Sequence, residues 1–157
     1  MPYPKAAVDE SYLLLPQKLD SVFARRQQAS IGWQESKYLT RVQYGGGPAH
    51  SYWQQEETGG IHGVMNFKAD GGKIAALARS VCHARGVPFA RHDVWKAMAT
   101  DDVLGAAFCR LLMYTDAHPV PKTEKEGWEM YLRTWRPGKP HPEYWAQAWA
   151  FGQGVAG

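Results

Sequence analysis

The chain has 157 residues and a formal net charge of +3, and its length favours a single domain with a sizeable core. No apolar run reaches the roughly 18 residues that a membrane-spanning helix needs. Residues 1–10 lack the basic and apolar regions of a signal peptide, which predicts synthesis in a cytoplasm without a secretion address. The small positive charge indicates no particular partner. The seven tryptophans favour a protein that stacks flat rings on a ligand.

The N-terminal residues predict two helices. The first spans about Val8 to Leu19 and is disturbed at Pro16, which has no backbone N–H to donate. Ser21 is a suitable N-cap for a second helix from Val22 to about Ser36.

Residues 40–58 interrupt the helical pattern. The segments 40–44 and 50–54 are short and rich in aromatic or β-branched residues, and the glycine-rich segment 45–49 separates them. This pattern predicts a small β-hairpin or an irregular β-like excursion.

The rest of the chain predicts further helices, and the most hydrophobic of them, Asp101 to Tyr114, is the expected core helix. Their approximate ranges are Ile61 to Phe67, Lys73 to Arg85, His92 to Met98, Asp101 to Tyr114, Thr123 to Trp135, and Pro142 to Gly152. Thr100 is the expected cap of the most hydrophobic helix, and Thr123 with Glu126 matches a capping box. Two cysteines, Cys82 and Cys109, are expected to be buried, reduced thiols. The sequence therefore predicts one mainly α (α+β) domain over residues 1–157.

Glu35 lies at the predicted end of the second helix. The negative end of the helix dipole and the neighbouring indoles of Trp33 and Trp53 would disfavour the ionised carboxylate and raise its pKa. A glutamic acid that stays partly protonated near neutral pH is suited to protonate a glycosidic oxygen while a sugar bond breaks. The alternative is an ordinary solvated carboxylate at a helix end.

The β excursion supplies candidate ligand-binding groups. Its three consecutive glycines would allow a bulky polymer to approach the backbone closely, and Gln54 would offer an amide to sugar hydroxyl or N-acetyl groups. In strict alternation Gln54 and Glu56 share a face, so Glu56 is favoured over Glu57 as a base that activates water. If Glu56 points to solvent, Glu35 alone fits transglycosylase chemistry.

One resemblance is carried by residues 34–36, the glycine-rich stretch and Trp53-Gln54. Together they resemble the lysozyme-like superfamily, especially the lytic transglycosylases. The resemblance implies a lysozyme-like fold in which Glu35 is the general acid/base and Ser36 supports it. It also implies that Gln54 lines a substrate cleft together with the neighbouring Tyr52, Trp53 and Glu56.

The sequence departs from that family at two places. Residues 51–54 read Ser-Tyr-Trp-Gln where the family has a Gly-Leu-Met-Gln type of segment, and no Ala-Tyr-Asn segment is evident near the C-terminus. Tyr131 is the best substitute for the tyrosine of the missing segment. The alternative for Tyr131 is a core tyrosine.

A more specific similarity is to small, mostly uncharacterised proteins of bacteriophages and prophages. It is carried by a Gly-Gly-Pro-Ala…Trp-Gln…Gly-Gly pattern at 46–60, by Leu-Leu-x-x-Thr-Asp at 111–116, and by Tyr-x-x-x-Trp-Arg-Pro-Gly-Lys-Pro at 131–140. The similarity implies a virion-associated enzyme, in the tail or internal core, that cleaves peptidoglycan glycan strands at the host wall. Other virion proteins would be its partners. The alternative is a catalytically inactive structural protein of the phage tail or virion interior on a lysozyme-like scaffold.

Other chemistries fit these residues less well. The six histidines have no metal-ligand spacing, and neither a metal nor a cofactor is expected. Arg25-Arg26 and the segment 135–139 could form a basic, aromatic surface for nucleic acid. Such residues are more often a solvated face and a helix end, so nucleic-acid binding is the third hypothesis.

Overall fold

The structure is a computed structural model that describes residues 3–156. Within that range the protein is mainly α-helical with a small antiparallel β-hairpin, which confirms the predicted fold class. The α-helices are α1 (Lys5–Leu13), α2 (Val22–Ser36), α3 (His62–Met65), α4 (Lys73–Ala84), α5 (Arg91–Ala97), α6 (Asp102–Tyr114), α7 (Glu124–Trp135) and α8 (Trp145–Val155). The strands are β1 (Ala49–His50) and β2 (Gln55–Glu56). Shorter helical turns occupy Gln17–Leu19, Tyr44–Gly46, Glu57–Ile61 and Pro142–Tyr144.

The prediction for the first helix is wrong in its bounds. Helix α1 begins at Lys5 and ends at Leu13, and extended backbone at Pro16 separates it from a 3-10 turn at Gln17–Leu19. The missing N–H of proline accounts for the break. The prediction for α2 is confirmed, because the Ser21 hydroxyl accepts the backbone N–H of Ala24 at 3.1 Å. Helix α2 also ends at Ser36, as predicted.

Helix α6 is the centre of the core. Its residues from Val103 to Met113 are all buried, and eight of them belong to two apolar clusters. One cluster lies against α4 and α5, and the other lies against residues of α1, α2, α7 and α8. Asp101 rather than the predicted Thr100 caps α6, since its carboxylate accepts the N–H of Leu104 at 3.0 Å. Both cysteines are free and buried, as predicted.

The hairpin exists, but its register differs from the prediction. Ala49 pairs with Glu56 and His50 with Gln55, so the segment 51–54 forms the turn instead of a strand. Ser51 and Gln54 have φ angles of 70° and 49°, which close the chain on itself. Val42 contributes only an isolated bridge to His50. The turn places Gln54 and Glu56 beside the end of α2.

The C-terminal helices bring the other wall of the site into place. Thr123 caps α7 by accepting the N–H of Glu126 at 3.2 Å, which confirms the predicted capping. Arg136, with φ 48° and ψ 55°, ends α7 in front of Pro137. Helix α8 continues to Val155, beyond the predicted end at Gly152. A Cβ at Gly152 would overlap the Arg26 carbonyl and the Ser30 side chain, so glycine permits the close approach of α8 to α2.

None of the helices within residues 3–156 combines the length and the apolar character needed to cross a membrane.

Candidate active site

A groove of two adjoining cavities lies between the end of α2, the β-hairpin and the end of α7. The first cavity, of about 540 Å³, is lined by Gln34, Glu35, Thr40, Gln43, Tyr44, Ala49, Gln54, Glu56, Tyr131, Trp135, Arg136, Pro137, Gly138, Lys139 and His141. The second cavity, of about 560 Å³, adjoins the first, and the two cavities share the lining residues Glu56, Trp135 and Arg136. Each volume falls within the range of about 300–1,000 Å³ that is typical of ligand sites.

Glu35 presents the most strongly perturbed carboxyl group at this groove. Burial raises its pKa from 4.5 to about 7, because the surrounding protein removes the water that would stabilise the anion. A hydrogen bond from Tyr131 acts in the opposite direction, and the charge of Glu56 raises the pKa further. The position of Glu35 in the last turn of α2 also disfavours the anion. Glu35 is therefore a carboxyl group that can both donate and accept a proton near neutral pH.

Tyr131 fixes the position of that carboxyl group. Its hydroxyl donates to Oε1 of Glu35 at 2.5 Å, and the neighbouring carboxylate together with burial raises the pKa of the phenol. The Tyr131 ring stacks on Trp145 at a centroid distance of 5.6 Å and on Trp135 at 6.4 Å. Only 3% of Tyr131 is exposed, so it is both a core residue and a direct partner of Glu35. The alternative of a core tyrosine is thus confirmed, and the role of Tyr131 as a substitute for the transglycosylase tyrosine stays a prediction.

Glu56 is the second carboxylate of the groove. It is exposed, it lines both cavities, and its charge acts on Glu35. The predicted alternation of a strand does not explain why it shares the groove with Gln54, because Gln54 belongs to the turn. The left-handed backbone of Gln54 and a hydrogen bond from its Nε2 to the Ser51 carbonyl, at 2.8 Å, set its position instead.

Three residues predicted for the site lie elsewhere. Trp53 is fully buried and donates its indole N–H to the Gln28 carbonyl at 2.9 Å, and Tyr52 is 6% exposed. Neither lines the groove, so the prediction that they bind sugar is corrected: their burial leaves no face for a ligand. Among the described residues, the Ser36 hydroxyl forms its hydrogen bonds with backbone groups and not with the Glu35 carboxyl group. The hydroxyl donates to the Tyr52 carbonyl at 2.7 Å, which ties the end of α2 to the hairpin turn and supports the site from behind.

The tryptophans serve mainly the protein itself. Trp53, Trp95, Trp135 and Trp145 each donate the indole N–H to a backbone carbonyl. The donors therefore fix distant segments of the chain against each other, as is usual for indoles that are largely buried. Among the tryptophans of residues 3–156, Trp135 is the one that lines this groove, and the stacking of an indole on a ligand stays a prediction.

Several groove residues were missed by sequence reasoning. Trp135 lies one turn after Tyr131 on α7, and this i, i+4 spacing places both on one helix face, which was an available signal. Tyr44 lines the groove and is 77% exposed, directly before the glycine-rich segment that was predicted to face the ligand. Arg136 and Lys139 follow α7 in the segment 135–139, which was interpreted as a nucleic-acid surface or a helix end and not as part of this groove. No local pattern distinguishes such loop cations from solvated ones.

Within residues 3–156, no group of three or more histidine, cysteine, aspartate or glutamate side chains is arranged to hold a metal ion.

The fold and the site together define a mainly α domain with a protonatable carboxyl group in an open groove. Comparison of the chain with models of known protein families, with curated proteins and with solved structures finds no match.

Proposed function

We propose that this protein cleaves the β-1,4 glycosidic bonds between N-acetylmuramic acid and N-acetylglucosamine in peptidoglycan, as a lytic transglycosylase or muramidase. The observation that carries the proposal is the carboxyl group of Glu35, which lines an open groove and has a pKa raised to about 7. Such a group is protonated in a large fraction of molecules near neutral pH, as a general acid for glycoside cleavage must be.

The surroundings of Glu35 are compatible with that role. The ion pairs of the described residues do not include Glu35, so its proton is not displaced by a fixed arginine or lysine. The hydroxyl of Tyr131 orients the carboxyl group and leaves its second oxygen without a recorded hydrogen bond. Gln54, which lines the same cavity, offers an amide oxygen to a sugar substituent.

The reaction would begin when Glu35 gives its proton to the glycosidic oxygen and the bond from that oxygen to the anomeric carbon breaks. The resulting oxocarbenium-like centre then has two fates. If water adds, with Glu56 or the newly ionised Glu35 accepting its proton, the product is a reducing sugar. If the 6-hydroxyl of the same muramyl residue adds and returns its proton to Glu35, the product is a 1,6-anhydro sugar. The anhydro route and the hydrolytic route through Glu35 return the enzyme to its starting protonation state. If Glu56 takes the proton of water, Glu56 must release it to solvent and Glu35 must take up a proton before the next turnover.

The setting that we propose rests on the resemblance of the sequence patterns to small bacteriophage and prophage proteins. We propose a lysozyme-like, virion-associated enzyme of the tail or internal core that opens the host wall locally during genome delivery. A particle-borne enzyme would reach the wall from outside, where glycan strands are its substrate and other virion proteins are its neighbours.

The test is the release of soluble muropeptides from purified sacculi, followed by mass spectrometry. We expect wild-type protein to release fragments and Glu35→Gln to reduce the rate by at least about 100-fold, in line with the loss of a general acid. Glu129→Gln, which removes an exposed carboxylate of α7, is the matched control and should retain the rate. A product lighter by one water indicates the anhydro route.

The alternative is a catalytically inactive structural protein of the virion. It would be supported if wild-type protein released nothing from sacculi of any accessible host while assembling in many copies per particle. An open groove beside Glu35 favours the enzyme over this alternative, since a purely structural scaffold has no need of an accessible, protonatable carboxyl group.

A further inference from the structure

Arg136 occupies the junction of the two groove cavities. It lines both of them, together with Glu56 and Trp135. Its backbone is left-handed, with φ 48° and ψ 55°, a conformation that is unfavourable for a residue with a Cβ. Pro137 forces the chain out of the helix at this point, and glycine or asparagine is the usual occupant of such a position. An arginine is not required to end the helix at this position.

The guanidinium of Arg136 has unused hydrogen-bonding capacity. Its Nε donates weakly to the Arg133 carbonyl at 3.4 Å, and its two terminal nitrogens have no recorded partner among the described residues. Two parallel N–H groups of a guanidinium match the two oxygens of a carboxylate. The side chain is exposed, so it can meet a ligand without rearrangement of the core.

The neighbouring basic side chains differ in whether a carboxylate already lies against them. Arg133 forms a two-pronged ion pair with Asp116, with N–O distances of 2.8 and 2.9 Å. His141 lies 3.0 Å from a carboxylate oxygen of Glu143. Lys139, in contrast, has no carboxylate partner within residues 3–156, and the same is true of Arg136. Arg136 and Lys139 are thus the cations of the groove that remain available to a ligand.

We propose that Arg136 and Lys139 form a subsite that binds carboxylates carried by the glycan strand, so that the groove selects an anionic glycan over a neutral one. This inference rests on the proposed function and specifies its substrate. Muramyl residues carry such a group either on the lactyl arm or on the attached peptide stem. The subsite also offsets the repulsion that the negative charge of Glu56 exerts on an anionic strand in the same groove.

The experiment compares binding to sacculi before and after their carboxylates are converted to neutral amides with carbodiimide and glycinamide. Protein with the Glu35→Gln substitution is used throughout, so that cleavage does not remove the ligand. We expect it to bind native sacculi about tenfold more tightly than amidated sacculi, and the preference to shrink as ionic strength rises. Native sacculi whose peptides have been removed by an amidase distinguish the lactyl carboxylate from those of the peptide.

Two variants locate the effect. Arg136→Asn keeps a residue that tolerates the left-handed backbone, and Lys139→Gln removes the second charge. Each should abolish most of the preference for native sacculi, whereas Arg136→Lys should restore part of it. Lys125→Gln, which removes an exposed cation from the first turn of α7 outside the groove, should behave like the parent protein.

The outcomes separate this inference from the proposed function. Equal binding to native and amidated sacculi, or unchanged preference in Arg136→Asn and Lys139→Gln, overturns the subsite even if wild-type protein cleaves glycan. Charge-dependent binding in a protein that cleaves nothing leaves the subsite standing and removes the enzymatic proposal. Binding of the same proteins to DNA is measured by gel shift. If Arg136→Asn and Lys139→Gln lose binding to DNA while their binding to sacculi is unaffected, the two cations bind phosphate groups and the subsite is overturned.

Discussion

The carboxyl group of Glu35 makes the free energy of unfolding depend on pH. Its pKa rises from 4.5 to about 7 on folding, so the folded chain binds this proton more tightly than the unfolded chain does. The resulting stabilisation is complete below the unfolded pKa and is lost as the pH rises through about 7. At about 1.36 kcal/mol for each pH unit between the two pKa values, the loss is at most about 3 kcal/mol. Water at the open side of the groove reduces it to about 2 kcal/mol.

Glu35→Gln isolates this contribution, because the amide keeps the shape of the side chain and cannot ionise. We would measure urea denaturation of both proteins at about pH 5 and about pH 8.5, which bracket the titration. Relative to wild type, the variant should gain about 2 kcal/mol of stability between the lower and the higher pH. Glu129→Gln should show no such gain. A flat or inverted difference for Glu35→Gln would mean that burial does not hold this carboxyl group protonated, and the reasoning about the groove would fail.

Two further predictions follow from single contacts. Tyr131→Phe removes the hydroxyl that stabilises the Glu35 anion, so the pKa of Glu35 should rise further, by about 1 pH unit; a carboxyl ¹³C NMR titration that shows a fall or no change contradicts this. Gly127→Ala would place a Cβ 2.6 Å from the Trp149 ring and 2.7 Å from Gln27 Oε1, and should lower the free energy of unfolding by about 2 kcal/mol. In the matched variant Gly154→Ala the new methyl group meets open space within α8, so thermal denaturation should show unchanged or slightly higher stability; equal losses in both variants would contradict the packing.

Local signals were sufficient for most helix boundaries. Ser21 and Thr123 cap α2 and α7 through their own hydroxyl groups, and Pro137 stops α7, because these effects act within a few residues of the chain. The same locality allowed the position of Glu35 at the end of α2 to be predicted. At α6 the choice between Thr100 and Asp101 as cap was missed, because adjacent residues of similar capping preference compete and the geometry of the turn selects one of them.

Long-range contacts defeated the prediction of the hairpin and of its aromatic residues. An alternating pattern in the sequence cannot reveal that the Trp53 indole donates to the Gln28 carbonyl. It also cannot reveal that residues 51–54 form the turn of the hairpin. Tyr52 and Trp53 are buried and do not line the groove where sugar binding was predicted, whereas Trp135 does line it.

Residue chemistry, read along the chain, determined that a mainly helical domain carries one glutamic acid at a helix end next to a glycine-rich hairpin. Only the folded arrangement decided the pKa of that acid. The exclusion of water raises the pKa of Glu35, and the hydroxyl of Tyr131, 96 residues away in the chain, lowers it. The physical reason is that helix caps depend on neighbours in sequence, whereas desolvation and cross-chain hydrogen bonds depend on which distant segments pack together.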